Sequence, residues 1–316
     1  MTILVLGASG FIGSWVARAL ASSGERVVAF CRPASNPWRL AAARGLHIQM
    51  ATDDEWPSAI AFLRPTTIVS LDWAGVAGAS RNDDSQWRNL DRQVKTIQAA
   101  AAAGTRRFVG IGSQAEYGPH DAVITESASS EPVTEYGRAK LAAMESSRAQ
   151  CTASGLEWIW GRVFSVYGPL DNGHWLLPLV GAALLDHRDI SLTSGEQRWS
   201  YLYASDAASA IVRLALSSDA HGIINVGNPD APRLRDTIEE FAIHFSTGSS
   251  HLHFGAREFE QNAVMWLQPD VSKLLQLGWS PAVSLRDGLE LTASWLKGEL
   301  VPDPYSDQTI PLASSV

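Results

Sequence analysis

Three side chains in the middle of the chain have the types and spacing to move a proton together: Ser113, Tyr136 and, one helical turn later, Lys140. A tyrosine and a lysine at i and i+4 lie on one helix face. An ammonium there stabilises a phenolate and draws the phenol down from about 10 toward a working range. Tyr136 then serves as general acid to a carbonyl oxygen, or as general base to a carbinol in reverse. Ser113, closing an apolar run of strand type, can donate to the same oxygen. Where the carbon bearing that oxygen gains or loses hydride, a hydride carrier has to be held nearby.

The elements that would hold it lie upstream. Thr2 to Leu6 is a strand-type run, Gly7-Ala8-Ser9-Gly10-Phe11-Ile12-Gly13 breaks it, and Ile12, Trp15, Val16, Ala19 and Leu20 follow at helical spacing. Gly7 permits a tight turn, Gly10 lets the backbone approach a pyrophosphate, and Gly13 lets helix pack on strand. The helix N-terminus adds N–H donors and partial positive charge. Strand, glycine turn and helix in this order read as dinucleotide binding, with Gly7, Ser9, Gly10, Phe11, Ile12 and Gly13 around the ligand. After the second strand, Arg26 to Phe30, NAD would call for an acid to accept from its ribose 2′-hydroxyl. The chain instead reads Cys31-Arg32-Pro33-Ala34-Ser35, with Arg39 beyond. A guanidinium fork at Arg32 and a hydroxyl at Ser35 suit a 2′-phosphate, which favours NADP(H) over NAD(H).

Further strands are expected at Leu46 to Met50, Thr67 to Trp73, Arg107 to Gly112, Trp158 to Phe164 and Ile223 to Val226, separated by helical stretches. Apolar strands alternating with helices imply an α/β fold: a doubly wound parallel (Rossmann) sheet with ligands at the carboxyl ends of the strands. The dinucleotide-binding domain is read as 1–171, with 201–227 returning to it. Segments 172–200 and 228–300 carry more loops, prolines and tryptophans and form a smaller C-terminal α/β substrate-binding lobe. The tail 301–316 is either a poorly ordered extension or a surface strap.

A chain of 316 residues with 46% hydrophobic and 18% charged residues suits a globular enzyme of one large unit and a smaller lobe. Its formal net charge of −8 argues against nucleic acid or an anionic membrane surface as partner. No apolar run is long enough to span a membrane, and no signal-peptide pattern precedes the first strand. Cys31 and Cys151 have no metal or redox spacing, and a cytoplasmic location fits. His251 and His253 share a strand face without a third ligand, so no metal site is expected.

Taken together, Gly7-x-x-Gly10-x-x-Gly13, Ser113 ahead of Tyr117-Gly118, Tyr136-Gly-Arg-Ala-Lys140, Arg162-Val-Phe-Ser-Val-Tyr-Gly-Pro169, Gly195-Glu-Gln-Arg198 running to Asp206, and Leu277-Gly-Trp-Ser-Pro281 resemble the extended short-chain dehydrogenase/reductase family, from residue 2 to about residue 297. The resemblance implies a nucleotide-linked sugar as substrate. It also implies that Lys140 reaches the nicotinamide ribose, that Asn89 supports the backbone near the site, and that Asp53, Leu71, Trp73 and Val163 complete the cofactor's surroundings. On the substrate side it implies Arg198 at the nucleotide diphosphate, with Gln114, Ser165 and the loop from Asn172 to Pro178 around sugar and base. Arg257 and Arg286 are candidates for a second phosphate contact. Trp73, Trp175 and Trp199 either stack on ligand or pack the lobe. Relatives commonly form homodimers through helices corresponding to Arg81–Ala103 and Tyr136–Ser154.

Departures from the family narrow the reaction. Its sugar-nucleotide 4,6-dehydratases carry an Asp-Glu pair immediately after the serine or threonine. This chain has Gln114 and Ala115 there, with Glu116 one place late, so elimination of water is not expected. A 4-epimerase needs only the Ser/Tyr/Lys set but usually has the NAD-type acid that Arg32 replaces. The segment Gly112 to Gly118, with Leu71-Asp-Trp73 where alanines are usual, is similar to reductases of nucleotide-linked 4-keto-6-deoxy sugars. The expectation is therefore an NADPH-dependent 4-ketoreductase. A 4-epimerase with retained NAD(P) is the alternative, and a dinucleotide-sensing protein without turnover the third reading.

Overall fold

The computed structural model describes residues 1–41, 43–260 and 263–312. The first half runs β1 (Thr2–Leu6), α1 (Phe11–Ser22), β2 (Arg26–Cys31), β3 (Leu46–Met50), α2 (Trp56–Leu63), β4 (Thr67–Ser70), α3 (Trp87–Ala102), β5 (Arg107–Ser113), α4 (Glu135–Ser154) and β6 (Glu157–Val163). The second half adds β7 (Ser165–Tyr167), α5 (Leu176–Leu185), β8 (Ile190–Leu192), β9 (Arg198–Trp199), β10 (Tyr201–Tyr203), α6 (Ala204–Leu216), β11 (Gly222–Val226), α7 (Leu234–Ala242), β12 (Leu252–Phe254), β13 (Trp266–Leu267), α8 (Ser272–Gln276) and α9 (Leu285–Leu296).

Seven strands make one sheet in the order β11-β6-β5-β4-β1-β2-β3, every pairing parallel. Central strands of such a sheet are covered on both faces and read as continuous apolar runs; in β1, Ile3 through Leu6 are fully buried. Helices α1 and α6 pack together, as do α3 and α4. The strand order reverses between β1 and β4, and an α/β sheet opens its ligand crevice at that point, beyond the carboxyl ends. The chain is thus the doubly wound α/β sheet expected from its strand and helix alternation.

Two boundaries differ by more than a single residue from the sequence reading. Strand β4 stops at Ser70 rather than Trp73, because Ser70 Oγ donates to Asp72 Oδ1 at 2.7 Å and Trp73 N turns back onto Leu71 O at 3.0 Å. The stretch from Arg81 is not yet helical: two short 3₁₀ turns, Gly78–Asn82 and Asp84–Gln86, precede α3. Asp83 caps the second, accepting from Ser85 N at 2.7 Å, a use for which short acidic side chains are suited.

The residues from Ala204 to Val226 return to the sheet as α6 and β11, while α5, α7 and α9 with short strand pairs build a second core around Leu177, Val180, Leu184, Ile238, Phe241 and Leu289. The tail, as far as residue 312, is a strap across α1 and α6. Val301 and Ile310 are buried in the main core. Arg18 Nη1 meets Asp303 Oδ2 at 2.5 Å with both side chains 1% exposed, Tyr305 OH donates to Ser205 O, and Trp295 Nε1 donates to Pro311 O. Tail residues 313–316 lie outside the described residues. Among the described residues no helix is long and apolar enough to cross a membrane.

Candidate active site

The glycine turn is built by close approach. Gly7 has φ +75°, and a Cβ there would lie 2.7 Å from the Leu71 carbonyl carbon at the end of β4; on Gly13 it would lie 2.2 Å from Gly7 O. Any side chain at either position would fill the cradle or push α1 off the sheet. Helix α1 starts at Gly10 without a side-chain cap, so its first N–H groups have no side-chain partner. This cradle fits a dinucleotide, which Ser9, Gly10, Phe11 and Ile12 would hold through their backbone.

Beside the cradle, Cys31 at the end of β2 faces Ser9, and burial pushes its thiol above the ordinary range. Arg32 follows directly and is exposed, in a turn closed by Ser35 N donating to Arg32 O at 2.8 Å. Arg39 is turned inward: Nε donates to Leu170 O at 2.7 Å, Nη2 to Asn172 Oδ1 at 2.8 Å, and Nη1 lies 3.5 Å from Ser9 O. Just past the carboxyl end of β4, Asp72 joins Arg92 at 2.9 Å, and Arg92 also meets Asp53 at 3.2 Å. Asn89 clasps the Ala74 backbone, accepting from its N–H at 3.0 Å and donating to its carbonyl at 3.1 Å.

Ser113 closes β5, in register with Val163 closing β6. Tyr136 and Lys140 come from the first turns of α4, which Thr134 caps by accepting from Gly137 N at 3.1 Å. All three therefore gather at the carboxyl edge of the sheet. Burial holds the Tyr136 phenol above its usual value, while the Ser113 hydroxyl and the Arg81 guanidinium favour the phenolate. The cation expected on the phenol was Lys140. Its Nζ instead donates to Ile111 O at 2.6 Å and lies 3.9 Å from the centre of the Trp73 ring, and burial pulls it down to about 8. Trp73 is fixed by donating Nε1 to Gln86 Oε1 at 2.7 Å and packs perpendicular to the Tyr136 ring.

The four residues expected on the substrate side separate. Gln114 continues directly from Ser113, and Ser165 follows β6 by one residue and accepts from Trp199 Nε1 at 2.8 Å. Asn172 is tied to Arg39, toward the glycine turn rather than toward Tyr136. Arg198 and Trp199 are neighbours on β9, so their side chains leave opposite faces. With Trp199 on Ser165, Arg198 turns into a lobe cavity of about 700 Å³ with Tyr201, Asn228, Asp230 and Val283. That lining includes none of Ser113, Tyr136 and Lys140. Arg257 pairs with Glu260 at 2.9 Å, and Arg286 is exposed on α9. His251 and His253 both face Asp189, at 2.7 and 3.2 Å. Among the described residues no three His, Cys, Asp or Glu side chains converge on a metal position.

The roles of two groups escaped the sequence reading. Glu116 is fully buried: Oε2 accepts from Arg162 Nε at 2.7 Å and Trp160 Nε1 at 3.0 Å, and Oε1 accepts from Ser113 N at 2.7 Å. It braces the serine's backbone and is not available as a second catalytic acid. Trp160 can reach it because β5 carries Gly110 and Gly112, where a Cβ would come within 2.4 and 2.2 Å of the indole. The other is Arg81, whose Cζ lies 4.3 Å from the centre of the Tyr136 ring. An arginine in an irregular loop carries no periodic signal that would flag it.

Residues 3–227 match the model of the NAD-dependent epimerase/dehydratase family. A dTDP-6-deoxy-L-talose 4-dehydrogenase (NAD(P)(+)) from Kitasatospora kifunensis is 28% identical over 301 residues, 91% of this chain and 93% of that one. A 2'-dehydrokanamycin reductase from Streptomyces kanamyceticus is 27% identical over 233 residues, 71% of this chain and 60% of that one. The structure of DesIV, a dTDP-glucose 4,6-dehydratase from Streptomyces venezuelae solved with NAD, superposes with a TM-score of 0.83 at 23% identity, over 94% of this chain and 97% of that one; at that identity it speaks to the fold.

Proposed function

The chain belongs to the NAD-dependent epimerase/dehydratase family, and from that premise we propose that it reduces the 4-keto group of a nucleotide-linked 4-keto-6-deoxyhexose with NADPH. NADPH, when bound, supplies the hydride to the carbonyl carbon. Tyr136 gives its phenolic proton to the carbonyl oxygen, so the C=O bond becomes CH–OH, and the phenolate then takes a proton from water. Ser113 donates to the same oxygen and holds the substrate's carbonyl toward Tyr136. Lys140, Asn89, Val163, Leu71 and Trp73 would border the cofactor's reactive end. Arg32 and Ser35 would take the 2′-phosphate, and Asp53 would lie toward the adenine.

One observation carries the choice of net reduction over dehydration. Gln114 and Ala115 follow Ser113 where an acid-base pair would be needed, and the nearest carboxylate, Glu116, is held by Arg162, Trp160 and the Ser113 amide. Tyr136 is left as the proton donor. On the substrate side, Gln114, Ser165 and Trp199 would meet the sugar, while Arg198 and Asn172 would act only at its nucleotide end or toward the cofactor. The experiment is NADPH consumption with dTDP-, CDP-, GDP- and UDP-linked 4-keto-6-deoxyhexoses, with the product's new stereocentre read by NMR. Stoichiometric NADPH loss and a 6-deoxyhexose product support the reading. Interconversion of 4-epimers without NADPH consumption overturns it.

A further inference from the structure

We propose that Arg81 is the cation that serves the reacting phenol, a positioning residue that works through Tyr136 by stabilising its phenolate. The inference rests on Tyr136 being the proton donor. Arg81 belongs to the 3₁₀ turn Gly78–Asn82, and its Nη1 donates to Val76 O at 3.0 Å, which orients the guanidinium. Cζ then lies 4.3 Å from the centre of the Tyr136 ring. The ring also packs perpendicular to Trp73, at 6.2 Å between centroids and 90° between planes. Lys140, on the phenol's own helix, spends its ammonium on Ile111 O and the Trp73 face.

The other charged groups around the first turn of α4 do not replace Arg81. Glu116, on the turn after β5, opposes the phenolate but is itself neutralised by Arg162 at 2.7 Å. Glu135 precedes Tyr136 and is paired with Arg138 at 2.5 Å. Asp83 and Asp84, on the loop with Arg81, are exposed. Burial of the phenol is therefore offset by one hydroxyl, Ser113, and one guanidinium, Arg81. An opposite charge within about 4–6 Å moves a pKa by roughly 1–3 units. Proton transfer to substrate leaves Tyr136 negative, so the same charge lowers the barrier to that transfer.

The test compares Arg81→Met and Arg81→Lys in the full chain. With dTDP-4-keto-6-deoxyglucose and NADPH, Arg81→Met is expected to lower turnover by roughly 10- to 100-fold and to move the high-pH limb of the rate profile up by about 1–3 units; Arg81→Lys restores most of both. A purely structural loss would lower the plateau and leave the limb in place, which overturns the proposal. A substrate-independent readout is the tyrosinate ultraviolet absorbance of each protein against its own Tyr136→Phe counterpart during alkaline titration. The Tyr136 signal is expected at higher pH in Arg81→Met than in the parent. Equal midpoints, or no Tyr136 ionisation in the parent before unfolding, overturn the proposal. If Tyr136→Phe alone turns over like the parent, it is the assignment of Tyr136 that fails.

Discussion

Replacing Glu116 by glutamine removes one charge and reverses one hydrogen-bonding atom at a fully buried point. If the new Oε1 keeps the Ser113 amide at 2.7 Å, the new NH₂ faces two donors, Arg162 Nε and Trp160 Nε1, which the carboxylate met at 2.7 and 3.0 Å. Arg162, its side chain 2% exposed, is left without a counter-charge. Breaking one partner of such a pair costs about 3–5 kcal/mol. A chain of 316 residues has an unfolding entropy near its midpoint of roughly 0.66 kcal/mol/K, so the expected fall in Tm is about 5–8 °C. The assay is thermal unfolding of the unliganded protein at neutral pH, followed by circular dichroism. The double variant Glu116→Gln, Arg162→Met removes the stranded charge and is expected to regain more than half of the loss, since apolar replacement of both partners is often near neutral. A fall in Tm below about 2 °C for Glu116→Gln, or a double variant less stable than either single one, would refute the claim that this pair braces the serine.

Tyr136→Phe keeps the ring against Arg81 and Trp73 and is expected to lower turnover by about 10²–10⁴-fold with NADPH affinity unchanged; turnover within threefold of the parent, measured by NADPH consumption, contradicts the proton-donor role. Arg32→Asp should weaken NADPH by roughly 10- to 100-fold while leaving NADH nearly unaffected, read by fluorescence titration of both cofactors; equal weakening removes Arg32 from the 2′-phosphate. Lys140 is pulled from 10.5 to about 8 in the folded protein, so between those values the unfolded chain binds more protons and stability rises with pH. Lys140→Met should therefore be more stable than the parent at pH 7 by roughly 2–4 kcal/mol, with the gain shrinking toward pH 10. Urea unfolding at the two pH values checks this, and a difference that does not vary with pH counts against it.

What could be read from the sequence was what is local. Gly7, Gly10 and Gly13 between a strand and a helix announce the cradle because each step of that turn leaves a residue-level mark. The parallel sheet shows in its apolar runs, β1 most plainly. Pairings distant along the chain leave no such mark. Glu116 and Arg162 are separated by 46 residues and Arg18 and Asp303 by 285, and nothing in the periodicity of either segment selects the partner. Strand β9 is two residues long, too short for alternation to say which of Arg198 and Trp199 faces the cleft. The i,i+4 spacing placed Tyr136 and Lys140 on one face, but only packing reveals that the Ile111 carbonyl and Trp73 claim the ammonium.

The strap that carries Asp303 has a consequence in time. Arg18 holds Asp303 with one arm, while Nη2 of the other donates to the carbonyls of Arg39 and Ala41 at 2.6 and 2.8 Å. The loop beside the glycine turn is thus set by a carboxylate synthesised 285 residues after the arginine that reads it. At 5–20 residues per second the ribosome needs roughly 15–60 s to bridge that interval. During it, the Arg18 guanidinium on α1 lacks the carboxylate of Asp303. The loop after β2 acquires its final brace only when translation has reached the strap.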